Sequence, residues 1–266
     1  MPHAGRSLAL EAVGRELDWP AMPVFDDPEQ ERQHRKQQLA LAFRVFAHYG
    51  FDWGIGGHIT CRDPIDTDHF WVNPIGVHFS HIRVSDLLLV DKSGQVVIGD
   101  RPTSAAAYAI HSRIHHARPD IVAACHAHAR YGVTFSTLGC LLEPISQETC
   151  SFYNDHGLYS EYGGVAAIRE EGDRIAEALG PGKAVICQNH GPITVGHSVD
   201  EAVWWFIRLE RACEQTLMAR AAGGARPIPP EVAASAAQQL GSHQAGWFSI
   251  QPILEKIRRT EPDVWD

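Results

Sequence analysis

The chain has 266 residues, 44% of them hydrophobic, and carries a net charge of −9 with no run of Lys or Arg. That length buries a sizeable core in one large domain, with or without appendages, and the acidic balance argues against nucleic acid or an anionic membrane as a partner. No apolar stretch approaches the roughly 20 residues that span a bilayer, and the N-terminus lacks a charged-then-apolar export pattern, so the expected location is cytoplasmic. The six cysteines (Cys61, Cys125, Cys140, Cys150, Cys187 and Cys213) are scattered without a Cys-x-x-Cys pair. They read as free thiols in a reducing compartment.

Residues 1–28 hold Pro20, Pro23 and Pro28 and no periodicity, which reads as a loose arm. From Glu29 to Tyr49, Leu39, Phe43 and Phe46 recur at helical spacing and Gly50 stops the run. The stretch Asp52-Trp53-Gly54-Ile55-Gly56-Gly57-His58 is a glycine-rich loop, followed by a short strand over Ile59–Arg62. Such a loop can cradle a phosphate, but it lacks the strand-then-helix setting of a nucleotide loop, and on spacing alone a plain turn is the favoured reading. Phe70–Asn73 is a second strand closed by Pro74-Ile75-Gly76, and Leu87–Val90 and Gln95–Ile98 flank a hairpin turn at Asp91–Gly94. A helix over Thr103–Ala117 ends at Arg118-Pro119-Asp120, with Ala107, His111 and Ile114 on one face.

The run Ile121–Cys125 reads as a buried strand and ends in His126-Ala127-His128. Alternate residues of a strand share a face, so the two imidazoles point the same way about 6–7 Å apart. Two converging imidazoles suit a divalent transition metal. Helices follow over Arg130–Leu138 and Glu171–Leu179, then a strand over Ala184–Gln188 broken by Asn189-His190-Gly191-Pro192, then extended chain over Ile193–Val195. His190, in a turn at the end of a buried strand, is the third metal candidate. Ser198-Val199-Asp200-Glu201 has the form of a capping box and opens a helix to about Arg220, with Phe206, Leu209, Cys213 and Leu217 on one stripe. A Gly/Pro linker and two helical stretches, Glu231–Leu240 and Gln251–Arg259, close the chain. The expected organisation is an arm (1–28), a main domain (29–221) and a C-terminal helical extension (222–266). Mixed hairpins and crossovers imply a mixed sheet with helices on both faces.

His126-Ala127-His128 with Asn189-His190-Gly191, together with Gly57–Arg62, Asn73–Gly76 and Ile110–His115 followed by Arg118-Pro119-Asp120, resembles the class II aldolase/adducin family over roughly Glu31 to Ala221. The resemblance implies an α/β fold, a three-layer α/β/α sandwich with a mixed, largely antiparallel central sheet. It implies one divalent metal ion per subunit, Zn2+ or Fe2+, held by His126, His128 and His190, and a homo-oligomer, commonly a tetramer. Aldolases of the family use a glutamate as acid/base one helical turn before the residue matching His111; here that position is Ala107, preceded by Ala105 and Ala106. Their Thr-Pro-Ser-Gly phosphate turn is Asn73-Pro74-Ile75-Gly76 here, and their Gly-Asn is Gly57-His58. Each change removes a polar phosphate contact, and a buried phosphate dianion without donors is very costly. Thr103 and Ser104 restore hydroxyls only if the alignment slips by two residues.

The function expected from these residues is metal-dependent carbon–carbon bond cleavage, of lyase or decarboxylase type, on a non-phosphorylated carbonyl or 2-oxo acid. One alternative is a non-haem Fe(II) oxygenase that oxidatively decarboxylates an aryl 2-oxo acid, as in the aminocoumarin antibiotic branch of the family. The other is a non-catalytic adducin-like assembly module. His111 is a candidate fourth ligand or supporting base, and Glu148 a candidate substitute carboxylate. Gly57, His58, Asn73, Gly76 and Tyr153 are candidate substrate contacts. Trp53, Trp71, Phe79, Tyr131, Phe152 and Trp247 either line a pocket or pack in the core.

Overall fold

The structure is a computed structural model that describes residues 21–164 and 169–266. Most of the expected N-terminal arm, residues 1–20, lies outside the described residues. The first helix, α1 (Pro28–His48), starts where sequence chemistry places it: Asp27 accepts the Glu29 N–H at 3.0 Å and proline occupies the first turn. Leu39, Phe43 and Phe46 are fully buried on its inner face.

The remaining elements, in chain order, are β1 (Gly57–Arg62), β2 (Phe70–Val72), β3 (Leu88–Val90), β4 (Val96–Ile98), α2 (Ala105–Ala117), β5 (Ala123–Ala127), α3 (Arg130–Ser136), α4 (Gln147–Cys150), β6 (His156–Tyr159), α5 (Arg169–Leu179), β7 (Ala184–Cys187), β8 (Gly191–Gly196), α6 (Val199–Ala221), α7 (Pro230–Leu240) and α8 (His243–Thr260). The strands form one sheet in the order β4-β3-β2-β1-β5-β8-β7-β6. Every pairing is antiparallel except β6 with β7. The sheet is therefore mixed and largely antiparallel, with helices on both faces.

Strand β5 sits at the centre and is buried at every position. Its odd residues, Ala123, Cys125 and Ala127, pack into a core built from α1, α6 and α8, while Ala124 packs with α2 and α5 on the opposite face. Small residues let both helical layers approach this strand closely. The alternation puts His126 on the α2 side of the sheet.

Local chemistry moved several boundaries. Helix α2 begins at Ala105 rather than Thr103 because Ser104 is its cap, accepting the Ala107 N–H. At α6, Ser198 accepts the Glu201 N–H at 3.1 Å, but the Glu201 carboxylate accepts from the His197 N–H instead of closing the box. The C-terminal helical stretch begins at His243, earlier than Gln251, with Ser242 as its cap. Ile250, Leu254 and Ile257 of α8 share one core with α1 and α6. Buried Arg44 ties α1 to the chain end through Glu261 (3.1 Å) and Asp263 (2.9 Å). The short elements α4 and β6 were not anticipated, being too brief for periodicity to reveal. All six cysteines are free.

Candidate metal centre

His126 is near the end of β5 and His128 lies just past it. His190 closes the turn between β7 and β8, whose ends pair Cys187 with Gly191. That turn needs Asn189 at φ +59°, a left-handed conformation that asparagine tolerates better than most residues. The result brings three imidazoles together: ring centroids are 4.6 Å (His126–His190), 5.2 Å (His126–His128) and 5.2 Å (His128–His190) apart. One ligand atom from each lies within 4.8 Å of the others.

The protonation state suits a metal. His126 Nδ1 donates to the Pro192 carbonyl at 2.9 Å. A carbonyl only accepts, so the proton is on Nδ1 and Nε2 carries a bare lone pair. That Nε2 is buried and has no partner within the protein. Burial lowers the pKa of all three histidines, that of His190 to about 4 with help from neighbouring His128. Three neutral imidazoles with one orphaned buried nitrogen fit a borderline divalent ion such as Zn2+ or Fe2+. Among the described residues, no Asp or Glu joins this cluster.

The glycine loop explains itself at this site. A Cβ on Gly56 would stand 3.0 Å from His128 Nδ1, and one on Gly57 3.1 Å from the His126 carbonyl oxygen. Gly57 also has φ +133°. The loop is a close-approach turn against His-x-His. His58 pairs directly with His126 across β1 and β5, and its buried ring lies 5.3 Å from that of His126.

His111 lies outside the group of three whose ligand atoms stand within 4.8 Å of one another. Its ring packs against His58 at 4.2 Å, and its Nδ1 is engaged by the Thr60 hydroxyl at 2.8 Å. The same hydroxyl meets His115 Nε2 at 2.9 Å. Thr60 has a single proton, so it donates to one imidazole and accepts from the other, which gives the two rings opposite roles. Burial holds His58 and His111 well below the ordinary histidine pKa and takes His115 to about 3, so this support layer is neutral too. Thr60, His115, Gly56 and the Pro192 carbonyl escaped sequence reasoning. Two signals were available: Thr60 shares a strand face with His58, and His115 lies one helical turn beyond His111.

The other candidates are placed as follows. Ala107 is buried one turn before His111. Ser104 Oγ caps its helix by accepting the Ala107 N–H, and the Thr103 hydroxyl donates to the Asn73 carbonyl at 3.2 Å. Asn73 is buried and donates from Nδ2 to the Pro74 carbonyl, and Gly76 turns at φ +82° in a loop tied by Ile75 N–H to Pro102. Glu148 lies in α4, where its charge acts on Arg208 of α6 and not on the triad. Tyr153 follows that helix, its N–H donating to the Cys150 carbonyl. Trp71, Phe79, Phe152 and Trp247 are buried, whereas Trp53 is 80% exposed.

Comparison with known proteins agrees with this architecture. The chain is 44% identical over 244 residues to a 4-hydroxy-3-prenylphenylpyruvate oxygenase/4-hydroxy-3-prenylbenzoate synthase of Streptomyces roseochromogenus subsp. oscitans, covering 91% of this chain and 88% of that one. It is 42% identical to the decarboxylase NovR of Streptomyces niveus, covering 91% and 90%. Among solved structures, an L-fuculose 1-phosphate aldolase from Glaciozyma antarctica PI12 superposes with a TM-score of 0.86 at 41% identity, covering 92% of this chain and 97% of that one. The model of the Class II Aldolase and Adducin N-terminal domain matches residues 37–217, and the chain belongs to that family.

Proposed function

We propose that the protein is a metal-dependent enzyme that cleaves a carbon–carbon bond of a non-phosphorylated 2-oxo acid by decarboxylation. The observation that carries this is the all-imidazole character of the site: His126, His128 and His190 stand together with no Asp or Glu among the described residues of the cluster. Ala107, at the position of the aldolase glutamate, offers no proton-transfer group. General acid–base help is typically worth 10²–10⁴-fold, so aldol chemistry here lacks a large contribution.

His126, His128 and His190 would hold the ion. When bound, the metal supplies Lewis-acid polarisation of a carbonyl and, if it is iron, access to dioxygen. The Pro192 carbonyl fixes the His126 ring, and Gly56 lets the loop close over His128. His58 and His111 are neutral and give no cation for a phosphate dianion, while the Thr103 hydroxyl proton is committed to the Asn73 carbonyl. A 2-oxo acid makes a smaller demand for donors than a dianion.

The oxygenase form of this activity, Fe(II) with dioxygen acting on an aryl 2-oxo acid, is favoured by the 44%-identical relative described as a prenylphenylpyruvate oxygenase. The test compares three assays on one preparation: 4-hydroxyphenylpyruvate or its 3-prenyl derivative with Fe(II) and O2, the same acids with Zn2+ under nitrogen, and L-fuculose 1-phosphate with Zn2+. CO2 release from the 2-oxo acids is expected, and dependence on O2 selects the oxygenase form. Turnover of the sugar phosphate at an enzymic rate, on the order of 1 s⁻¹ or more, without CO2 release from the acids overturns the assignment. The active form is proposed to be a homo-oligomer, a tetramer by family habit. A monomer in light scattering at micromolar concentration counts against it.

A further inference from the structure

A second group of histidines stands at the far end of β8. His190 precedes this strand and His197 follows it, so the two are separated by roughly 20 Å of extended chain. His197, Glu201 in the first turn of α6 and His243 at the start of α8 converge there, one ligand atom from each within 4.8 Å of the others.

The carboxylate at the centre is fixed. Glu201 is 1% exposed. Its Oε1 accepts from Trp205 Nε1 at 2.8 Å and from His243 Nδ1 at 2.7 Å, and its Oε2 accepts from the His197 backbone N–H at 2.8 Å. The two imidazoles are stacked, with centroids 3.7 Å apart and planes 21° from parallel, so one of these exposed rings must turn for both in-plane lone pairs to meet a single ion. Their side chains are 38% and 56% exposed, so an ion has a path in from solvent. Asp120 Oδ2 stands 3.5 Å from His197 Nε2 at the rim, with both carboxylate oxygens also paired to Arg118. The Glu201 carboxylate offsets the positive end of α6.

We propose that His197, Glu201 and His243 form a second divalent-metal site, for an ion of the Zn2+, Ni2+ or Cu2+ class. Two imidazoles and one carboxylate are a common ligand set for zinc and leave a position for water. They do not suit Ca2+ or Mg2+, which take oxygen ligands. The ion displaces the proton shared by His243 and Glu201, releases it to solvent, and links the starts of α6 and α8.

The test is a zinc count on chelator-stripped protein, equilibrated with zinc chloride at pH 7.5 and desalted. Wild type should keep about two zinc ions per chain, His190→Ala about one, His243→Ala about one, and the double variant about none. His243 is more than half exposed, so its removal opens no cavity in the core. As a second readout, zinc should raise the melting temperature of His190→Ala but not of His190→Ala/His243→Ala. The same zinc count in His243→Ala as in wild type, or no zinc-dependent shift in His190→Ala, overturns the second site. Zinc retained by His190→Ala but absent from His190→Ala/His243→Ala supports it even if the triad itself holds none.

Discussion

The two histidine groups at opposite ends of β8 use the same side chain in opposite ways. At the triad, burial and neighbouring imidazoles keep the rings neutral, and His126 Nε2 has no partner. At the second group, Glu201 engages His243 Nδ1 and pushes the His243 pKa up. A histidine packed among other histidines offers a lone pair; a histidine beside a buried carboxylate holds a proton. The difference lies in the partners.

The sharpest way to break the comparison is to remove one triad ring. Losing even an outer partner of a metal ligand costs about 10–100-fold in affinity or activity, so His126→Ala should lower both by about 100-fold or more, read by metal content and CO2 release. His243→Ala should leave 2-oxo acid turnover within about twofold, because that ring is far from the triad. Equal losses in the two variants would erase the distinction.

Next in size is Glu201→Gln. Its carboxylate serves three donors from a buried position, and substitution should cost about 1–3 kcal/mol of stability in urea unfolding. No change in the unfolding midpoint would show that the carboxylate does not organise this end of the molecule.

Gly56→Ala is milder. The added methyl would meet His128 Nδ1 at 3.0 Å, and His128, being exposed, can swing aside. Metal affinity should fall about tenfold, equivalent to about 1.4 kcal/mol, with little change in melting temperature. Unchanged affinity would mean that the loop yields instead of the ring.

The smallest effect is in pH dependence, where the two groups should pull in opposite directions. The triad histidines have folded pKa values below the ordinary 6.5, that of His190 at about 4. As pH falls from 6.5 toward 4 the unfolded chain takes up protons that the folded chain refuses, so stability of the metal-free protein declines across that window. His243 has a raised pKa, so its contribution is complete below 6.5 and lost as pH rises through its folded value. Unfolding curves of metal-free wild type and His243→Gln should diverge on the acid side, where only wild type gains from that pair, and converge in alkali. An identical pH profile would remove His243 from the balance.

Much of the fold was legible. Leu39, Phe43 and Phe46 marked the buried face of α1, and the apolar run before His126 marked the central strand, because helical and strand periods leave different spacings of apolar residues. The three metal candidates were legible as residues at strand ends. The support behind them was not: nothing local to Thr60 says that its hydroxyl lies between His111 and His115. Nor does the Ser198–Glu201 pattern say that Glu201 will turn away from its cap toward Trp205 and His243.

What the sequence by itself determined was the local part: which segments are strands or helices, and that His126 and His128 share a face. Those properties follow from backbone geometry within a few residues. Only the tertiary structure decided which nitrogen of His126 is free, that the His111 ring packs against His58, and that the His197 backbone N–H and the His243 ring share one carboxylate. Each depends on strand register and helix docking between segments far apart in the chain, and on burial, which sets whether an imidazole keeps its proton.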